Sequence, residues 1–149
     1  MRTTLATIFG VIFAFIIVGA IESISMTIYP PDPAVNWRDP AQVQANWDLI
    51  EIPAMIMVFM AHFLSIIGGT IIAKLISRGS KIPGYVIGGL VLLATVMNII
   101  YIHPPLWNST TDVVLVLIAF WFGLKISKRR GKKPPITDKT VIDQTQSRT

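Results

Sequence analysis

Residues 53–73 read PAMIMVFMAHFLSIIGGTIIA, a run that contains no Asp, Glu, Lys or Arg. An α-helix needs about 20 mostly apolar residues to cross the roughly 30 Å of hydrocarbon in a bilayer, so this run predicts a membrane-spanning helix over residues 53–76. Three similar stretches predict helices over residues 5–27, 82–102 and 110–127. We therefore expect an all-α fold, an integral membrane four-helix bundle within residues 1–130.

The composition of the whole chain agrees with this fold class. Of its 149 residues, 52% are hydrophobic and 14% are charged, whereas a water-soluble domain carries roughly 25% charged residues. The chain has no Cys, which excludes a disulfide framework, a thiolate metal site and a Cys nucleophile.

The basic residues are concentrated on one predicted side of the membrane. Of the 13 Lys and Arg residues, 12 lie before the first span, around the connection between the second and third spans, or at and after the end of the fourth span, and Arg38 alone lies on the other side. Because cytoplasmic loops are enriched in Lys and Arg, we expect cytoplasmic termini in a multi-pass protein of the cytoplasmic membrane. Asp112 is then external, where it, Thr110 or Thr111 is expected to cap the fourth helix.

The first span has an alternative interpretation. Arg2, the apolar run that follows it, and the small residues Gly19 and Ala20 also fit a signal peptide that is cleaved after Ala20. Removing the first span leaves the other three oriented in the same way, so the charge distribution leaves this alternative open.

The external loop over residues 30–52 is the one sizeable connection between spans. Asp39 as N-cap, Pro40 in the first turn and Gln42 as the reciprocal partner of a capping box predict a short helix over residues 40–51. That helix would lie across the external end of the bundle as a partial lid; the alternative is a solvated connector.

The segment over residues 131–149 is predicted to be a disordered cytoplasmic tail, because it lacks the apolar residues needed to fold alone. A basic cluster at the start of this region either contacts anionic lipid headgroups or serves only to anchor the topology. Its members are Lys128, Arg129, Arg130, Lys132 and Lys133. No aromatic residue or recognition fold accompanies the cluster, so nucleic-acid binding is not expected.

Small residues recur on two of the predicted spans, where they allow helix backbones to approach closely. The second span carries Ala61, Gly68, Gly69 and Ala73, and the third carries Gly84 and Gly88. We expect these two stripes to bring the second and third helices together, or else to form the contact surface of a homo- or hetero-oligomer.

Three polar residues lie within the predicted spans, on three different helices: Glu22, His62 and Asn98. Such residues usually face the bundle interior or a water-filled cavity. We predict one polar pocket in the external half of the bundle, with Ser65 and Thr95 as supporting groups. A carboxylate and an imidazole in such a pocket could bind a small polar ligand or exchange a proton near neutral pH. The alternatives are a hydrogen-bond cluster that only holds the helices in register, and no cluster at all.

No metal ion, cofactor or catalytic motif is predicted. His103 lies roughly 12 Å further along the helix axes than His62, which is too far for one ion without a distorted helix end. The chain shows no Ser/His/Asp arrangement, no phosphate-binding glycine loop and no paired intramembrane carboxylates, so enzymatic chemistry is not indicated.

Several short motifs resemble those of small four-span bacterial membrane proteins of uncharacterised function. They are Glu22 and Met26 before Tyr29–Pro30, Ile52–Pro53, Ala61–His62, Gly68–Gly69, Asn98, and His103–Pro104 followed by Trp107. The resemblance covers residues 5–127, implies a bacterial cytoplasmic membrane and implies no activity.

Two function classes follow from the sequence. In the first, the protein is a structural or interaction component that contacts partners or lipids. In the second, it handles a small ligand or a proton through the cluster of Glu22, His62 and Asn98.

Overall fold

The structure is a computed structural model that describes residues 1–77 and 80–127. It contains five α-helices and a 3₁₀ turn at Trp47–Leu49. The helices are α1 (Arg2–Ile28), α2 (Pro40–Ala45), α3 (Ile52–Ser77), α4 (Ile82–Ile102) and α5 (Leu106–Ser127). All except α2 are long and apolar enough to cross a membrane. The expected all-α class is thereby confirmed, and the predicted tail and its basic cluster lie outside the described residues.

The fourth long helix begins earlier than predicted. The sequence placed its start at residue 110, but α5 starts at Leu106, immediately after two prolines. The carbonyl of Pro105 accepts hydrogen bonds from the backbone N–H groups of Asn108 (3.0 Å) and Ser109 (3.1 Å). The prediction that Asp112 or its neighbours cap this helix is therefore wrong, because Asp112 lies in its second turn.

The helix in the loop is shorter than predicted. Asp39 caps its start as expected, with its side chain accepting from the backbone N–H of Ala41 (3.0 Å). The helix ends at Ala45 rather than near residue 51. The predicted capping box is also wrong, because the Oε1 atom of Gln42 accepts from the backbone N–H of Asn36 (2.8 Å) instead of from that of Asp39.

Helix α3 is the centre of the bundle and packs against α1, α4 and α5. The end of α1, the start of α3, the end of α4 and the start of α5 meet at one end of the bundle, which we call the loop end. The segment between α1 and α3 covers this end, because α2 packs against α4 before the chain returns to α3. Val35 and Val43 of this segment are buried.

The small residues of α3 face a different helix from the one predicted. A Cβ atom added at Gly69 would lie 2.6 Å from the carbonyl oxygen of Gly10 and 3.0 Å from the Cβ of Ala14, both on α1. The sequence predicts that the two stripes bring α3 and α4 together, and these helices do pack against each other, but Gly69 lies against α1 rather than against the glycines of α4. The reason is that α1 carries its own stripe of buried small residues at steps of four, Ala6, Gly10 and Ala14, which the sequence reasoning missed.

The glycines of α4 pack mainly on α5. Gly88 lies directly against the ring of Phe120, and a Cβ added at Gly84 would lie 2.8 Å from the Oγ of Ser127. The predicted packing residues therefore make their contacts within one chain. These close contacts explain how helices with so few polar contacts stay packed together.

The outer faces of the long helices are apolar. Exposed side chains include Phe9, Ile16, Leu93 and Trp121, whereas the most deeply buried positions include Ala61, Ile66 and Val116. A helix that is apolar on all sides is expected in a bilayer rather than in water. The four long helices therefore indicate a membrane protein.

Candidate functional site

A cavity of about 380 Å³ lies at the loop end of the bundle, and we call it the loop-end cavity. Its walls come from all four long helices and from the covering segment. Most of the lining is apolar or aromatic and includes Tyr29, Trp37, Trp47, Met55 and Phe59. Because the covering segment passes over the ends of the helices, the cavity is bounded on that side by residues of the loop.

Six polar side chains that are not aromatic line this cavity. Three are carboxylates, at Glu22, Glu51 and Asp112, and the others are Ser25, Asn98 and Asn108. Glu22 is half-buried and Glu51 is exposed, whereas Asp112 is only 5% exposed. The cavity thus combines an apolar wall with a small number of polar groups.

Two of these polar side chains belong to largely buried residues and have no hydrogen-bond partner in the described part of the chain. Ser25 is 7% exposed and Asn108 is 9% exposed, and neither side chain hydrogen bonds to any residue in ranges 1–77 and 80–127. The carboxylate of Glu22 likewise has no hydrogen bond or ion pair with a described residue. The indole nitrogen of Trp47 is buried and also lacks a partner. The side chains of Ser25, Asn108 and Glu22 are therefore free to hydrogen bond with water or with a ligand in the cavity.

Below the cavity, His62 of α3 is paired with Asp112 of α5. The Nδ1 atom of His62 lies 2.9 Å from Oδ1 and 3.1 Å from Oδ2 of Asp112, and the two side chains are 12% and 6% exposed. When the carboxylate is ionised it can only accept, and Nδ1–H is then the donor. The pair joins two helices and fixes the orientation of the Asp112 carboxylate at the floor of the cavity.

This pairing corrects the predicted cluster. The sequence predicts a pocket shared by Glu22, His62 and Asn98, but within the described part of the chain no hydrogen bond joins Glu22 to His62. Because α5 starts at Leu106, Asp112 lies inside the helix and on its buried face, where α3 packs against it. His62 does not line the loop-end cavity; it lines an apolar cavity of about 60 Å³ between α1 and α4.

The remaining predicted pocket residues divide between the cavity and the core. Glu22 and Asn98 do line the loop-end cavity. Ser65 and Thr95 are fully buried, but the hydroxyl of Ser65 donates to the backbone carbonyl of its own neighbour His62 (2.8 Å). The hydroxyl of Thr95 is buried without a partner. The structure therefore brings Glu22 and Asn98 together with Ser25, Asn108 and Asp112, which the sequence reasoning missed.

A signal for two of the missed residues was present in the sequence. The buried residues of α5 recur at steps of three or four and form one face of the helix: Asn108, Asp112, Val116, Ala119, Gly123 and Ser127. Small and polar residues at this spacing predict a face that contacts other helices. Extending the fourth span towards Pro105 would have placed Asn108 and Asp112 on that face.

The titratable side chains do not converge in a way that suits a metal ion. Among residues 1–77 and 80–127, no group of three or more His, Asp or Glu side chains could hold one. His103 ends α4 in a left-handed conformation with φ 54° and is exposed.

Comparison with known proteins gives no match: no family model, no curated protein and no solved structure matches this chain.

Proposed function

We propose that this chain is a multi-pass membrane protein that binds a small organic ligand in the loop-end cavity. The observation that carries the proposal is the set of polar side chains, led by those of the largely buried residues Ser25 and Asn108, that line the cavity and have no partner among the described residues. Small-molecule sites are concave, mostly apolar and of about 300–1,000 Å³, with a few polar groups that orient the ligand. The 380 Å³ cavity meets each of these criteria.

The His62–Asp112 pair supports this function by positioning a polar group. The imidazole holds the Asp112 carboxylate in one orientation through a 2.9 Å hydrogen bond, so the floor of the cavity is formed before a ligand arrives. A preformed site binds more tightly because less conformational entropy is lost on binding.

The covering segment between α1 and α3 supports ligand binding because it bounds the cavity on the loop side. Trp37 lines the cavity, and its indole N–H donates to the backbone carbonyl of Asp32 (2.8 Å). Asp32 also accepts from the backbone N–H of Ala34 (2.8 Å). These local hydrogen bonds, with the stiff prolines that follow Tyr29, give the loop a defined shape over the site.

The orientation in the membrane follows from the distribution of basic residues. The loop end carries the acidic residues of the cavity. In the sequence, the connection between α1 and α3 contains one basic residue, Arg38, whereas the others fall near the start of α1, around the connection between α3 and α4, or at and after the end of α5. By the enrichment of Lys and Arg in cytoplasmic loops, we place the loop end outside the cytoplasm and both termini inside, in the cytoplasmic membrane. The basic cluster that starts at Lys128 would then contact anionic lipid headgroups.

Proton handling is supported less well than ligand binding. A carboxylate–imidazole pair can transfer a proton, but the core beyond His62 is apolar and contains Ile66, Val91, Val116 and Ala119. In the described residues, no titratable group continues a path from His62 through that core. The geometry therefore favours binding at the loop end over conduction across the bundle.

In a purely structural or interaction role, the small-residue stripes would be the surface that contacts a partner chain. These stripes are occupied by contacts between α1 and α3 and between α4 and α5, so they offer little surface for a partner chain. The loop-end cavity is the feature that such a role leaves unexplained.

The proposal is tested by filling the cavity. Ala54 lines it, and Ala54→Trp places a large ring there; Ile56→Trp, two residues further along α3 at a 51% exposed position, is the matched control. Thermal unfolding in nanodiscs is measured with benzyltrimethylammonium, neopentylbenzene and benzylsulfonate, which share an apolar aromatic body and differ in charge.

We expect at least one probe to stabilise the wild type and the control in a saturable way and to leave Ala54→Trp unaffected. A ligand at 100 times its Kd stabilises by about 2.7 kcal/mol, which is several degrees in Tm. The proposal is wrong if no probe stabilises the wild type, or if a folded Ala54→Trp variant responds as the wild type does.

A further inference from the structure

We infer that the loop-end cavity selects an organic cation, an ammonium group attached to an apolar or aromatic body. This inference rests on the proposed function and names the chemical class of its ligand. Four features of the cavity carry it: its charge, its aromatic side chains, its unpartnered polar groups and its size.

The charge of the lining is negative. Of the described residues that line the cavity, Glu22, Glu51 and Asp112 are acidic, and none is Lys or Arg. Asp112 already has His62 as a partner at 2.9 Å, but Glu22 and Glu51 form no ion pair with another described residue. A positive ligand supplies the charge that the protein does not, and the attraction is strengthened where water is partly excluded.

The aromatic side chains also attract a cation. Tyr29, Trp37, Trp47 and Phe59 all line the cavity. The face of an aromatic ring carries negative electrostatic potential and attracts cations, most strongly Trp, and groups of such rings bind quaternary ammonium ligands. An anionic ligand would be repelled both by the carboxylates and by these faces.

The buried polar side chains provide acceptors for a cation that carries N–H groups. The hydroxyl of Ser25 and the amide oxygen of Asn108 are in side chains that are more than nine-tenths buried and lack protein partners among the described residues. Both line the cavity beside the carboxylates. They can accept hydrogen bonds from an ammonium group without the loss of an existing contact.

The size and the apolar wall favour an organic cation over a metal ion. Hard cations such as Ca²⁺ take six to eight oxygen ligands in a close shell, and no group of three His, Asp or Glu residues in the described ranges is close enough to hold a metal. Met26, Met55 and Ile102 line the same cavity and provide a surface for an apolar body.

The test measures the Kd of three small probes by Trp fluorescence, in a variant whose Trp residues all lie in the covering segment. Trp107→Phe and Trp121→Phe together leave Trp37 and Trp47, both of which line the cavity, as the sources of fluorescence. The nanodisc protein is titrated with benzyltrimethylammonium, with its neutral carbon isostere neopentylbenzene and with benzylsulfonate, and protein-free nanodiscs correct for partition into lipid. Glu22→Gln is the test variant, and Asp48→Asn, an exposed loop acid outside the lining, is the control.

We expect the cation to bind at least tenfold more tightly than the neutral isostere, and the anion to bind least. Glu22→Gln should raise the Kd of the cation about tenfold and leave that of the neutral probe unchanged, while Asp48→Asn changes neither. Equal affinity for cation and neutral probe, or an equal loss of both in Glu22→Gln, overturns the inference but leaves the proposed function standing. Failure of all three probes to bind overturns the proposed function itself.

Discussion

The contact between His62 and Asp112 allows a quantitative test of how the bundle is held together. We consider His62→Phe, Asp112→Leu and the double variant, which replace the two polar side chains by apolar groups of similar shape. The two side chains are 12% and 6% exposed, so water can replace little of the lost interaction in either single variant.

The expected magnitude follows from the geometry of the pair. The distances of 2.9 Å and 3.1 Å describe one N–H shared between two carboxylate oxygens, which counts as a single hydrogen bond to a charged acceptor. Hydrogen bonds to charged groups contribute about 1.5–3 kcal/mol in soluble proteins, but hydrogen bonds between membrane helices average about 0.6 and reach about 1.7 kcal/mol. Because this pair is buried and short, we expect a coupling energy of about 1–2 kcal/mol.

His62→Phe should be the more harmful single change. It leaves the Asp112 carboxylate buried without its donor, and an orphaned buried group costs about 1–3 kcal/mol, or more when it is charged. Asp112→Leu orphans only the Nδ1–H donor of His62. The double variant should recover part of that loss, since replacing both partners by apolar groups of the same shape can be nearly neutral.

The assay is reversible unfolding in mixed micelles with increasing SDS, without added ligand, for the wild type and the three variants. The coupling energy is the difference between the effect of the double variant and the sum of the single effects. Additive effects within about 0.5 kcal/mol would refute the reasoning, because contacts that do not interact behave in this way.

Three further predictions address packing, topology and processing. Gly69→Ala should destabilise the bundle by about 1–3 kcal/mol, because the new Cβ would lie 2.6 Å from the backbone oxygen of Gly10. The control, Gly89→Ala, should be neutral or stabilising by up to about 1 kcal/mol, because nothing lies within 4 Å of a Cβ at that position. Unfolding in SDS measures both effects. In intact cells, a membrane-impermeant maleimide should label Asp48→Cys and not Ser80→Cys, since the chain has no Cys of its own; the reverse pattern would invert the proposed topology. The intact mass of the purified protein should include α1, whereas a mass that lacks the first 20 residues would establish cleavage.

The polar residues of the site show where sequence reasoning succeeded and where it failed. Glu22 and Asn98 were identified because single polar residues in apolar spans usually face the interior, and both line the cavity. Asp112 is one of three candidate caps in the sequence, with Thr110 and Thr111, because the predicted fourth span begins at residue 110. A shift of that start to Leu106 moves the carboxylate from the helix end to the buried face, and thereby changes the partner of His62.

The sequence by itself determined that four apolar helices form, because helix formation in an apolar medium is local. Every backbone N–H and C=O must be satisfied within the segment, so the length and hydropathy of a stretch are sufficient to predict its helix. The tertiary structure alone decided that the stripe of α3 meets Gly10 of α1, and that His62 pairs with Asp112. The physical reason is that these helices are apolar on nearly all sides, so their pattern does not specify which faces meet. Close contacts between small residues decide that, and they depend on the shapes of helices that are distant in sequence.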